Sequence, residues 1–288
     1  MSAAPARPVA RSVARLFAPR RSLVSCAPAY LVRSTLGADG PGFNRYPASP
    51  LCSVSWQLSG SMAVVEDGVV SQELVSHPGD AIFAGPMTQP WTSRNPGPVH
   101  FFVVLFYPDA LHALSGIDVS SCVDTFLPAE QVLGSACQAL TRALIAAPDD
   151  DARAALLDDF LEPRWRAVRG QAQLERGMLG DWMRRLAVQA ASNGIGRGAR
   201  AIERRVKARA GLPMRTLRRM GRAEQALLAA RAEQASGKIC WVGVADDAGY
   251  ADQSHLARET RAITGLSPTE LAHALEHDDS YWLYRIWS

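Results

Sequence analysis

Close to Pro128 the apolar residues change their spacing, and that change limits the fold more than any single motif does. From about Asn44 to Phe106 the apolar runs are short and divided by turns. CSVSWQLSG reads as a strand entering a Gly-Ser turn. MAVVEDGVVSQELV reads as a hairpin closed at Asp67-Gly68, a pair that accepts the positive φ of a tight connection. HPGDAIFAGPMTQPW adds a turn, a short strand and a Pro-rich loop. HFFVVLFY, from His100 to Tyr107, is continuously apolar, which suits a strand buried on both faces or set in a barrel wall.

Beyond Pro128 the period becomes helical. EQVLGSACQALTRALIAA stops before PDDD, DARAALLDDFLEPRW forms a second segment, and QLERGMLGDWMRRLAVQAAS a third, longer one. ASNGIGRG, residues 191 to 198, interrupts the pattern with three glycines. Strands followed by helices, rather than alternating with them, make the fold class α+β: a β-rich N-terminal half and an all-α C-terminal half. The transition falls between 128 and 170.

The net charge is only +3, yet Arg164 to Arg222 holds 16 Arg and Lys against 3 acids. A basic block inside an otherwise acidic chain suits a polyanionic partner. The five cysteines are scattered and form no CxxC pair, as expected of reduced, cytoplasmic thiols. No apolar run reaches membrane-spanning length. Residues 1–40 begin with the basic, acid-free stretch MSAAPARPVARSVARLFAPRRSL and read as a disordered or loosely packed leader, with a targeting segment as the lesser alternative.

The most patterned helical segment is GYADQSHLARETRAITGLSP, Gly249 to Pro268. Asp252 is placed to cap a helix and Gly265 to end it. Leu256, Thr260 and Ile263 recur as an inward stripe; Ser254, Arg258 and Arg261 recur on another face, flanked by Gln253 and His255. WVGVADDAG upstream offers a short helix with small packing residues, completing a helix-turn-helix. An earlier unit, GARAIERRVKARAGLP, turns Ile202 and Val206 inward and Arg200, Arg204 and Lys207 outward. A shift of 54 residues places Ile202 on Leu256, Arg204 on Arg258, Lys207 on Arg261 and Gly211-Leu212 on Gly265-Leu266. Two reading helices one DNA turn apart would stand roughly 34 Å from each other, and MRTLRRMGRAEQALLAARAEQ is long enough to bridge them.

In GYADQSHLARETRAITGLSPTEL, the residues Gly249, Tyr250, Asp252, Gln253, Ser254, His255, Arg258, Gly265 and Pro268 resemble the second reading unit of AraC/XylS-type transcriptional regulators. ARAIERRVKARAGLPMRTLRRMGRAEQAL resembles their first recognition helix and linker. The resemblance implies DNA contacts from Arg200, Glu203 and Arg204 in the first helix. In the second it implies Gln253, Ser254, His255, Ala257 and Arg258, with Lys207 and Arg261 as candidate phosphate contacts. Thr260 departs from the pattern, standing where a large aromatic is common, and AVQAASNGIG makes the first unit a candidate for degeneracy. RYPASPLCSVSWQLSG and GPMTQPWTSRNPGPVHFFVVLFYPDALHALSGID resemble the cupin-like domain that precedes this module in some regulators.

The organisation implied is a leader at 1–40, a β-rich cupin-like sensor or dimerisation domain at 41–128, and a helical linker at 129–178. An AraC-type DNA-binding domain follows at 179–275 and an extension at 276–288. The partners implied are double-stranded DNA, a second copy of the chain as homodimer, RNA polymerase and a small-molecule effector of unknown class, with no cofactor and no membrane. A metal-dependent cupin enzyme is the rival for the β-half, but His77, His100 and His112 form no His-x-His cluster. His255, Glu259 and His273 lack a nucleophile, so no catalytic residues are assigned and the chain is expected not to be an enzyme. A structural protein binding DNA nonspecifically through phosphates is the other rival.

Overall fold

In this computed structural model, strand β9 (His100–Phe106) runs through the middle of the molecule and explains its layering. The structure describes residues 12–38, 40–66, 68–169, 181–184, 186, 188, 199–237 and 239–287. β9 is hydrogen-bonded between β2 (Tyr30–Ser34) and β4 (Cys52–Ser59). They belong to a six-stranded antiparallel sheet completed by β1 (Val13–Phe17), β7 (Ala81–Ala84) and β10 (Phe126–Pro128), in the order β1-β2-β9-β4-β7-β10. A second sheet orders β3 (Gly42–Tyr46), β8 (Trp91–Asn95), β5 (Met62–Glu66) and β6 (Val69–Ser76) as β3-β8-β5-β6.

Alternation along β9 divides the core. Phe102, Val104 and Phe106 join Tyr30, Val54, Trp56 and Phe83 in a cluster with the helices. Phe101, Val103 and Leu105 face the other way and pack with Leu31, Tyr46, Met62 and Trp282 between the sheets. That is why an unbroken apolar run can be a strand here: both faces are covered. The hairpin expected in MAVVEDGVVSQELV is β5–β6, with Gly68 at φ 80°; Asp67 lies outside the described residues.

The loose leader expected at 1–40 is corrected from Ser12 onward. β1 and β2 are paired strands of the large sheet, and Leu23 and Tyr30 are fully buried. The basic charge that suggested a solvated leader instead meets an acidic helix: Arg15 pairs with Asp151 at 3.2 Å, and Arg20 with Asp159 at 2.7 Å and Glu162 at 3.1 Å. β3 and β8 also lie in stretches without clear strand alternation, and β8 begins at Trp91, the last residue of the expected Pro-rich loop.

The helices are α1 (Pro108–Ser115), α2 (Glu130–Leu133), α3 (Ala136–Ala146), α4 (Asp150–Val168), α5 (Ala199–Ala210), α6 (Met214–Ser236), α7 (Trp241–Asp247), α8 (Gln253–Thr264), α9 (Pro268–His277) and α10 (Trp282–Ile286). The first helical segment expected after Pro128 is split at Gly134 (φ 73°) into α2 and α3, and the second is α4, with Asp149 capping α4 through the Ala152 N–H. Most of the third segment, and the ASNGIG stretch on which degeneracy of the first unit turned, lie outside the described residues. Trp182 is buried, stacks on Tyr107 at 5.6 Å and donates to Asp109 at 2.8 Å. Burial pushes the Asp109 carboxyl up, against the opposing effect of that bond. Trp165 is buried as well. An α+β molecule results, β-rich first and all-α after.

Candidate nucleic-acid interface

Local chemistry fixes α8. The Asp252 side chain accepts from the His255 N–H at 2.6 Å, and Gly265 ends the helix in the left-handed region at φ 82°. Leu256, Thr260 and Ile263 are its buried stripe. Leu256 packs with Val244, Ala245 and Ala248 of the α7 segment and with Ala226 and Ala230 of α6. Small residues on α6 and on the α7 segment let both backbones approach α8 closely.

What remains outside is polar. Gln253, Ser254, Arg258 and Arg261 are exposed, and Ala257 and His255 are half-buried. Arg258 has no partner among the described residues. His255 stands edge-on to Tyr250 at 5.2 Å and 3.5 Å from Glu259. Glu259 is gripped by Arg222 through two bonds of 2.8 and 2.9 Å, and the Arg222 guanidinium lies 5.4 Å from the Tyr250 ring centre. Burial, with Glu259 adding to it, pushes the Tyr250 phenol up to about 12. His255 and Glu259 therefore belong to a cluster that fixes the start of α8 against α6. Arg261 bonds Glu270 at 2.8 Å, while Glu270 also closes the capping box of α9 with Ser267.

In α5, Arg200, Glu203, Arg204 and Lys207 are exposed, while Val206 and Ala210 are buried. The inner face meets α1 and the 3₁₀ turn Val119–Cys122 of the β-rich half. Glu203 is engaged locally: its carboxylate accepts the Met214 N–H at 3.1 Å, satisfying a free donor at the start of α6. α6 spans 23 residues, about 34 Å at the usual helical rise. The structure thus brings Gln253, Ser254, Ala257 and Arg258 together on α8, and places Arg200, Arg204 and Lys207 on a separate helix.

The rear of the α8 unit touches the β-rich half. The Ala48 N–H donates to the Ile263 carbonyl at 2.8 Å, and Ile263 joins the main core. Beside that contact lies an apolar cleft of about 190 Å³. Its walls include Tyr46 and Trp91 of the second sheet, Leu227 of α6, Thr260 of α8 and Trp287 of the C-terminal tail.

Sequence reasoning missed Arg222 and the tail. Arg222 is 37 residues from Glu259, beyond any helical periodicity. SYWLYRIW carried a signal in its density of aromatics, without indicating where they dock. Among the described residues, no group of three or more His, Cys, Asp or Glu is arranged to hold a metal ion. His100 is occupied with Asp150 at 3.0 Å. Burial works to raise the Asp150 carboxyl, but His100 and Arg153 outweigh it and hold the group below its ordinary range. Among the described residues no helix is long and apolar enough to cross a membrane.

A family model described as a domain of unknown function (DUF6597) matches residues 51–128, the segment from β4 to β10. No curated protein matches the chain. A structure of ToxT from Vibrio cholerae is similar over 85% of this chain and 98% of its own, at 10% identity and a TM-score of 0.39. A second structure of ToxT, described as bound to an unsaturated fatty acid, covers 84% and 94% at 13% identity and a TM-score of 0.39. A Cupin_2 domain of an XRE family transcriptional regulator from Enterobacter cloacae is similar over 34% of this chain and 97% of its own, at 16% identity and a TM-score of 0.25.

Proposed function

We propose that this chain is a sequence-specific DNA-binding transcriptional regulator of the AraC/XylS type, acting in the cytoplasm and carrying out no chemical step. The observation that carries the reading is α8. It is capped at both ends and locked along Leu256, Thr260 and Ile263, yet its outer face leaves Gln253, Ser254 and Arg258 exposed. A helix held this firmly, with donors and acceptors free near its N-terminus, suits insertion into a major groove. Gln253, Ser254 and Arg258 address base edges, Ala257 makes the close apolar contact, and His255 is steadied by Tyr250 and Glu259. Arg200 and Arg204 give α5 a second reading face. Glu203 supports the start of α6 beside it. Lys207 and Arg261 meet phosphates, Arg261 exchanging the exposed Glu270 pair for one.

Control comes through the contact between halves. A ligand or a second copy acting on the β-rich half changes how the α8 unit is held, and so how it meets DNA and RNA polymerase. The test is selection of binding sites from a random duplex pool by the full chain, followed by footprinting. The expected result is a preferred site protected over two consecutive major grooves. Protection of a single half-turn would remove α5 from the reading, and recovery of no preferred sequence would leave only nonspecific binding.

A further inference from the structure

The C-terminal tail is bound to the β-rich half as a ligand would be. Trp282 is 1% exposed and sits between the two sheets, edge-on to Tyr46 at 6.2 Å and Phe101 at 5.9 Å. Its indole N–H donates to Asn44 Oδ1 at 3.0 Å, and the Arg33 guanidinium lies 5.6 Å from its ring centre. Three residues earlier, Asp279 forms an ion pair with that same Arg33. The tail therefore presents an aromatic N–H, a ring and a carboxylate to a built set of partners.

That set is incompletely used. Arg33, Phe101 and Gln57 form one row across β2, β9 and β4, and so share a face of the sheet. Arg33 is 3% exposed and Gln57 1%, yet Arg33 Nε and Gln57 Oε1 have no hydrogen-bond partner. A buried donor and acceptor left open cost free energy that Trp282 does not recover.

We propose that this space between the sheets is a binding site for a planar nitrogen heteroaromatic bearing a carboxylate, of the indole-carboxylate class, and that the chain's own tail occupies it in competition. The ring takes the place of Trp282 with its N–H on Asn44, and the carboxylate takes the place of Asp279 on Arg33. A ligand with a further acceptor and donor also satisfies Arg33 Nε and Gln57 Oε1. The tail bears on the DNA-facing half. Trp287 donates to Glu224 at 2.9 Å, and Arg231 of α6 donates to the carbonyls of Tyr284 and Arg285 at 3.0 and 2.9 Å. Leaving the site strips those contacts from α6; that consequence alone rests on the DNA-reading role.

The test uses the full chain with Trp282→Gly and indole-3-acetate as probe. Millimolar indole-3-acetate is expected to raise the Tm of the variant by about 5 °C or more, indole to do so less, and naphthalene-1-acetate, lacking the N–H, about tenfold more weakly in concentration. Adding Arg33→Leu is expected to erase the preference for indole-3-acetate over indole. In the unsubstituted chain the same probe is expected to speed tryptic cleavage at Arg285 several-fold. A folded Trp282→Gly chain whose Tm ignores the probe would overturn the site. If that variant does not fold, unchanged cleavage at Arg285 with saturating probe overturns it instead. Probe binding that frees the tail but leaves DNA affinity unchanged would refute only the coupling to α6.

Discussion

Replacing Glu259 by Ala breaks the clamp that holds α8 to α6, and the cost can be worked from its geometry. The carboxylate is 14% exposed, Arg222 32%, and the two bonds measure 2.8 and 2.9 Å. At about 4 Å between charge centres and an effective dielectric constant of about 20, the gross attraction is roughly 4 kcal/mol. Desolvation of both groups and the solvent reaching Arg222 take back more than half, leaving a net coupling of about 1–2 kcal/mol. Arg222→Ala should cost more than Glu259→Ala. It leaves the more buried partner uncompensated, and it also removes the guanidinium from the Tyr250 ring, an interaction of about 0.5–1 kcal/mol. The assay is urea unfolding of the full chain, both single variants and the double variant. The expected outcome is an unchanged m-value, a larger loss for Arg222→Ala, and a double variant less damaged than the sum of the two by about 1–2 kcal/mol. Additivity within about 0.3 kcal/mol would refute the clamp.

Asp252→Ala removes the N-cap of α8 and should lower stability in urea by about 1 kcal/mol, with Asp252→Asn restoring most of it. The Asp279 carboxyl titrates below its ordinary value: burial acts to raise it, but Arg33 and the other bonds it accepts outweigh that. A depressed carboxylate pKa stabilises above the unfolded value of about 3.9, and that stability is lost as pH falls through the folded pKa. Tail fluorescence should therefore stay constant above about pH 5 and shift only at lower pH; the shift should be absent in Asp279→Asn.

The α8 unit was legible because its signals are local. Asp252 precedes the apolar stripe, Gly265 follows it, and Leu256, Thr260 and Ile263 keep a helical period, so a few adjacent residues hold the whole pattern. β9 was legible for the same reason: six apolar positions in succession, Phe101 to Phe106, leave few environments open. The leader misled because charge was weighed without its partners. Arg15 and Arg20 are answered by acids on α4, 136 to 142 residues away, and β2 is a strand because β1 and β9 flank it. The same separation hid the seat of Trp282, whose partner Asn44 lies 238 residues earlier. What depended on long-range pairing had no local trace, even where the residues themselves were conspicuous.

In the proposed function, exposed side chains of α8 read sequence rather than merely bind phosphate. The most direct measurement is the affinity of Arg258→Ala for the selected site and for random duplex of equal length, at one salt concentration. Losing a base contact should weaken the selected site by about 1–3 kcal/mol, roughly 5- to 150-fold, and random duplex several times less. Equal loss on both duplexes would contradict the reading role of Arg258 and assign it to phosphate.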